Sequence, residues 1–145
     1  MNLIVITIFI GNLTLTSYRS TPSQTDSSPF HTSTGERVSI SGAAISQDLL
    51  CGACRKLHRR CMHPNVGSKL HYGDVLYVEA VGFRIINDCM GKYSTRRVKV
   101  GNTVKKVFSK QNKWLDIWVK TYQDERNFHR KYGIAQHKVW LIRKK

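Results

Sequence analysis

Lys113-Trp114-Leu115-Asp116-Ile117-Trp118-Val119 is the stretch on which the reading of this chain turns. Its β-branched and aromatic residues are those of a strand, yet it carries a carboxylate where a half-buried strand has apolar or neutral residues. Acidic residues are scarce, 9 against 24 lysines and arginines, so an aspartate between Leu115 and Ile117 is not a casual surface charge. A second stretch of the same kind, Phe83-Arg84-Ile85-Ile86-Asn87-Asp88-Cys89-Met90, carries Asp88. The expectation is a pair of strands whose aspartates converge on one polar groove of a small β-barrel.

The 145 residues suffice for one domain with its own core, and 41% hydrophobic and 10% aromatic content suits a folded chain. The formal net charge of +15 favours anionic partners (nucleic acid, anionic lipid or anionic cell-wall polymers) without choosing among them. Leu3-Ile4-Val5-Ile6-Thr7-Ile8-Phe9-Ile10 has the length of a signal-peptide core and is too short to cross a bilayer as a helix. No Lys or Arg precedes it and no small-x-small site clearly follows. It reads as an export signal or as a first strand. The signal is preferred, with residues 1–12 as a hydrophobic N-terminal segment and 13–145 as the barrel domain. On that reading the protein is exported to the cell envelope or beyond. No other stretch is a candidate membrane span.

Along the chain, Leu13-Thr14-Leu15-Thr16-Ser17-Tyr18 alternates like a strand. Thr21 to Phe30 is a loop with two prolines and many hydroxyls. Gly35-Glu36-Arg37-Val38 is a turn entering a strand, Gly42 to Ser46 a short buried strand, and Gln47 to Leu50 a helical turn. A basic, cysteine-bearing insert follows from Cys51 to Asn65. Val75 to Val81 is the clearest strand. Residues 92–113 form a basic protruding hairpin around Gly101-Asn102. Thr121 as N-cap, Asp124 three residues on and Gly133 as stop bound a helix, with Phe128 and Tyr132 facing the core. Lys138 to Ile142 is the last strand. About six strands and one good helix make a mostly-β domain.

Three constellations carry chemistry. A carboxyl can protonate a glycosidic oxygen if burial or a like charge raises its pKa, and Asp116 with Asp88 has that character. On spacing alone, an aspartate satisfied by backbone amides is the preferred reading. Cys51-x-x-Cys54 with Cys61 nearby suits zinc or a disulfide staple, with His58, His63 or Cys89 as a fourth ligand. The cysteines, Cys51, Cys54, Cys61 and Cys89, are weak metal candidates and no catalytic metal or other cofactor is expected. Basic residues interleaved with aromatics can bind nucleic acid, but they are spread over the whole chain and no recognition-helix or RNA-binding signature occurs. A Trp near Asp116 could stack on a sugar ring.

The order of these pieces resembles the 3D (Asp-Asp-Asp) domain, related to the catalytic barrel of the membrane-bound lytic transglycosylase A family. The resemblance runs from Thr16-Ser17-Tyr18 through Pro22-Ser23-Gln24-Thr25-Asp26-Ser27-Ser28-Pro29-Phe30-His31-Thr32-Ser33-Thr34-Gly35, Gly42 to Leu50 and Gly73 to Ala80. It continues through Ile86-Asn87-Asp88-Cys89-Met90 and Leu115-Asp116-Ile117-Trp118 to the helix before Gly133 and the last strand. It implies a six-stranded double-psi β-barrel and three matching aspartates, Asp26, Asp88 and Asp116. It implies that Asp116 is the general acid/base acting on peptidoglycan glycan strands, supported by Asp88, with Tyr18, Thr25, Met90 and Trp118 as substrate contacts. A non-catalytic cell-wall glycan-binding barrel and a basic nucleic-acid-binding module are the alternatives. Cys89 stands where that family usually has Thr, and the basic insert before Lys113 lengthens the separation of Asp88 from Asp116.

Overall fold

Alternation along six strands builds the barrel. The computed structural model describes residues 3–21, 30–61 and 69–144. The strands are β1 (Val5–Tyr18), β2 (Gly42–Ile45), β3 (Val75–Val78), β4 (Gly82–Cys89), β5 (Tyr93–Val100), β6 (Thr103–Lys110), β7 (Trp114–Trp118) and β8 (Ala135–Lys144); the helices are α1 (Gly52–Leu57) and α2 (Tyr122–Tyr132). Leu13 and Leu15 of β1, Ala43 and Ile45 of β2, Leu76 and Val78 of β3, Ile86 of β4, Leu115 and Ile117 of β7, and Val139 and Leu141 of β8 all enter one core. Each alternates with outward-facing neighbours, as a period of two requires. Burying each of the larger aliphatic side chains contributes about 1.5–3 kcal/mol before entropy is counted.

The strands close in the order β1-β7-β2-β4-β3-β8, a mostly-β, six-stranded mixed barrel as expected. The β1–β7 and β2–β4 pairs are parallel, and the other four are antiparallel. Leu50, Leu70 and Tyr72 extend the same core beneath the loops. No helix among the described residues is long and apolar enough to cross a membrane.

Within Leu3 to Ile10, the residues from Val5 onward form the start of β1. Val5 to Phe9 pair with Trp140 to Lys144, and Gly11, at φ 132°, takes up the register shift that turns β1 into the barrel. The apolar side chains of this end are largely exposed, from 39% at Ile6 to 68% at Leu3. The expected strand entry at Gly35–Val38 is instead a closed loop. Gly35 at φ 81° lets its amide reach Thr32 O, and His31 and Arg37 form an isolated bridge.

The hairpin is as expected: β5 and β6 pair from Tyr93–Lys110 to Val100–Thr103 around Gly101-Asn102, separate from the barrel sheet. It is an insertion between β4 and β7. Because both of those strands flank β2, the insertion lengthens the sequence between Asp88 and Asp116 without parting them in space. Helix α2 begins at a capping box in which Thr121 Oγ1 accepts from Asp124 N and Asp124 Oδ2 accepts from Thr121 N. Phe128 packs into the core, and Arg19 on the loop after β1 holds Glu125 at 2.9 Å.

Candidate active site

One row of side chains crosses four strands on the outside of the barrel. Thr16 pairs with Asp116, Asp116 with Ala44, and Ala44 with Asp88. The row exists because these positions alternate with core residues: Leu15 precedes Thr16, Leu115 and Ile117 bracket Asp116, and Ala43 and Ile45 bracket Ala44. Asp88 joins through an irregularity between Ala43 and Ala44, where the β4 register skips Asn87. Two strand spacings separate the backbones of the aspartates, about 10 Å.

The surroundings of the row form a second small apolar cluster, distinct from the barrel core. Tyr18, Ala44 and Met90 are buried there, with Trp114 and Trp118 packed against them. Trp114 and Trp118 lie two residues to either side of Asp116, on the same face of β7. The result is a carboxyl on a floor of aromatic and small residues, a surface suited to the apolar faces of sugar rings.

The two aspartates are held differently. Asp88 Oδ1 accepts from Ser33 N at 2.9 Å, Ser33 Oγ at 2.5 Å and Cys89 N at 2.8 Å, while Oδ2 takes a long contact of 3.4 Å from the Tyr18 hydroxyl. Asp88 is a hub that pins the 30–38 loop to the barrel. Asp116 accepts one hydrogen bond among the described residues, from Thr16 Oγ1 to Oδ1 at 2.9 Å. Thr16 is oriented for it by Trp114, whose Nε1 donates to Thr16 Oγ1 at 2.8 Å. Burial pushes the Asp116 carboxyl up to about 7; the Thr16 bond opposes this, and the negative charges of Asp88 and Glu125 add to it. Burial and the same two aspartates also hold the Tyr18 phenol protonated far above its ordinary range.

Of the residues expected at the site, Asp116, Asp88, Tyr18, Met90 and Trp118 are brought together. Trp118 is turned by a bond from its Nε1 to Ser20 Oγ at 3.0 Å. Asp26 and Thr25 lie outside the described residues. Sequence reasoning did not single out Thr16, Ser33 or Ala44. Thr16 and Ala44 become visible only once the register is known. Ser33 sits in a loop whose closure depends on Gly35.

Cys51, Cys54 and Cys61 also come together, beside the barrel rather than in the groove. Their fourth partner is His71: one ligating atom from each of the four lies within 4.8 Å of all the others. This corrects the expected fourth ligand. Cys89 is on β4 next to Asp88, its Sγ directed to Met90 O, and burial pushes its thiol up to about 11. His58 is the exposed C-cap of α1, outside the cluster, and His63 lies outside the described residues. None of the four cysteines is in a disulfide. In comparison with known proteins, no family model, no curated protein and no solved structure matches this chain.

Proposed function

We propose that this protein cleaves glycosidic bonds in peptidoglycan, in the manner of a lytic transglycosylase, with Asp116 as the general acid and then the general base. The observation that carries the reading is Asp116 itself: a carboxyl with a pKa pushed up to about 7, one hydrogen bond among the described residues, and tryptophans on both sides along its strand.

A carboxyl poised near neutrality can give its proton to the bridging oxygen and receive one back at the same pH. In the first step the protonated Asp116 donates to the glycosidic oxygen as the bond to the anomeric carbon breaks. In the second, its carboxylate takes the proton of the substrate's own 6-hydroxyl, whose oxygen closes on the anomeric carbon to give a 1,6-anhydro sugar. No water need be activated, so no second catalytic carboxyl is required. Asp88 fits a supporting role, because its oxygens are occupied by Ser33, Cys89 and Tyr18 and its charge raises the Asp116 pKa. The surplus of positive charge, +15 overall, suits an anionic wall and an exported protein.

The test is mass spectrometry of muropeptides released from purified peptidoglycan. Anhydro-muropeptides are expected from the wild-type protein and not from Asp116→Asn. Binding to insoluble wall with no released product would replace this reading with that of a glycan-binding barrel. Salt-sensitive DNA or RNA binding without wall binding would replace it with a nucleic-acid module.

A further inference from the structure

We propose that Cys51, Cys54, Cys61 and His71 form a structural zinc site that fastens the cysteine-bearing segment to the barrel beside the groove. The proposal stands apart from the glycan reading and holds whether or not the groove is catalytic.

The donor set fits. Three thiols and one imidazole make a closed site of the tetrahedral Cys3His type, with no position left for a substrate. Cys61 Sγ lies 3.4 Å from Cys51 Sγ and 3.3 Å from Cys54 Sγ, and His71 Nδ1 lies 3.3 Å from both Cys54 Sγ and Cys61 Sγ. A zinc tetrahedron with bonds of about 2.3 Å to sulfur has edges of roughly 3.8 Å. Those four edges are a few tenths of an ångström shorter than that and every edge is within 4.8 Å, so small side-chain rotations would form the tetrahedron. Cys54, Cys61 and His71 are 0%, 6% and 4% exposed, with Cys51 at the outer corner. A disulfide from Cys51 to either Cys54 or Cys61 would strand the other, buried, against the imidazole.

The backbone is arranged for thiolates. The Cys61 amide is directed at Cys54 Sγ. The Cys61 N–H to Cys54 Sγ distance is 3.3 Å. Such N–H···S bonds stabilise negative charge on sulfur. Around them stands an outer layer. His71 N donates to Asp74 Oδ2 at 2.8 Å, and Arg60 Nη1 donates to Asp74 Oδ1 at 3.1 Å and Tyr72 O at 3.0 Å. Arg60 precedes Cys61, so this clamp fixes two ligands at once, as outer partners of metal sites do.

The site is placed to brace the groove. The Leu50–Leu70 bridge joins the chain beside the first and last ligands. From α1, Arg55 holds Gln47 Oε1, and Gln47 Nε2 in turn donates to Met90 O at 3.2 Å, two residues from Asp88. Helix α1 has only six residues and no side-chain cap, too little to persist alone. A metal supplies what its sequence does not.

The experiment uses the full chain, purified from zinc-supplemented cells under reducing conditions. Elemental analysis should give about one zinc per chain. Exchange into cobalt(II) should give the visible bands of a tetrahedral site together with thiolate-to-cobalt charge transfer. Cys54→Ser and His71→Ala should lose the metal, and Cys89→Ser should keep it. Should those two variants fail to fold, His71→Cys, which keeps four ligands, should still fold and bind cobalt. Folded wild-type protein that holds less than about a fifth of an equivalent of zinc and gives no cobalt spectrum would overturn the proposal. So would a native disulfide among Cys51, Cys54 and Cys61, or loss of metal from Cys89→Ser as complete as from Cys54→Ser.

Discussion

Asp88 and Asp116 stand on opposite sides of a single residue: Ala44 of β2 pairs with Asp116 on β7 and with Asp88 on β4. The separation is set by the barrel order, so it is as rigid as the barrel. It brings the charges close enough for Asp88 to raise the Asp116 pKa, yet leaves each carboxyl its own partners. Only a small residue at the centre keeps the row open. Ala44 is 5% exposed and already touches the Tyr18 and Met90 cluster.

Asp116→Asn is therefore expected to abolish release of anhydro-muropeptides while preserving the fold. Loss of a positioned general acid typically lowers a rate by about 10²–10⁴-fold. Asn keeps the shape and can still accept from Thr16. Circular dichroism should be unchanged, and turnover in the folded variant within threefold of wild type would remove Asp116 from the chemistry.

The same carboxyl makes stability depend on pH. Its folded pKa of about 7 lies above the ordinary 3.8, so between those values the folded chain binds a proton that the unfolded chain has released. Stability from this group is fully present below the unfolded value and is lost as pH rises through about 7. Wild-type Tm is expected to fall from pH 5 to pH 8 relative to Asp116→Asn, by a contribution on the order of 2 kcal/mol. Parallel Tm–pH curves for the two proteins would contradict this.

Thr16→Val tests what tunes the acid. The Thr16 hydroxyl lowers the Asp116 pKa, and valine keeps its volume. The expected result is an Asp116 titration moved further up, seen by ¹³C NMR of the carboxyl and as a shift of the activity profile to higher pH. The loss of an acceptor for Trp114 Nε1 should cost about 1 kcal/mol of stability. An unchanged titration would mean that the Thr16 bond does not tune it and that burial with the charges of Asp88 and Glu125 sets it.

Ser33→Ala should loosen the loop rather than the barrel. Ser33 supplies two of the three donors to Asp88 Oδ1 among the described residues, and the substitution removes the hydroxyl but keeps the amide. A hydrogen bond to a carboxylate contributes about 1.5–3 kcal/mol. Hydrogen exchange should accelerate at residues 31–35 and stay slow in β2 and β7. Uniform acceleration, or none, would show that Asp88 does not pin the loop.

Much of this arrangement was legible in the sequence because it rests on local signals. Period-two alternation marked β4 and β7, Gly101-Asn102 marked the hairpin, and Thr121, Asp124 and Gly133 marked α2. The two aspartates stood out because acids are rare in the chain. What could not be read was pairing. That Ala44 lies between Asp116 and Asp88 depends on a register shift between Ala43 and Ala44. That His71 completes the cysteine cluster depends on the Leu50–Leu70 bridge bringing two distant segments together. Leu3 to Ile10 left two readings open for a physical reason. An exposed apolar strand paired along one edge and an export signal share the same composition.

Gly42→Ala addresses the register directly. Gly42 opens β2 and is paired with Ile85, one residue before the shift that brings Asp88 beside Ala44. A Cβ at this position would stand 2.7 Å from Asn87 Nδ2 and 2.9 Å from Asn87 Oδ1, closer than side chains tolerate. Asn87 is 7% exposed, so its side-chain amide has little open space to retreat into. Overpacking of this kind costs about 1–3 kcal/mol. The single substitution is expected to lower the denaturant midpoint by that amount and to broaden the Asp88 and Ser33 resonances. Pairing it with Asn87→Ala, which removes the obstructing amide, should recover part of the loss, so that the two changes are less than additive. Strict additivity, or a Gly42→Ala protein as stable as wild type, would show that Asn87 yields freely and that this contact does not hold the register.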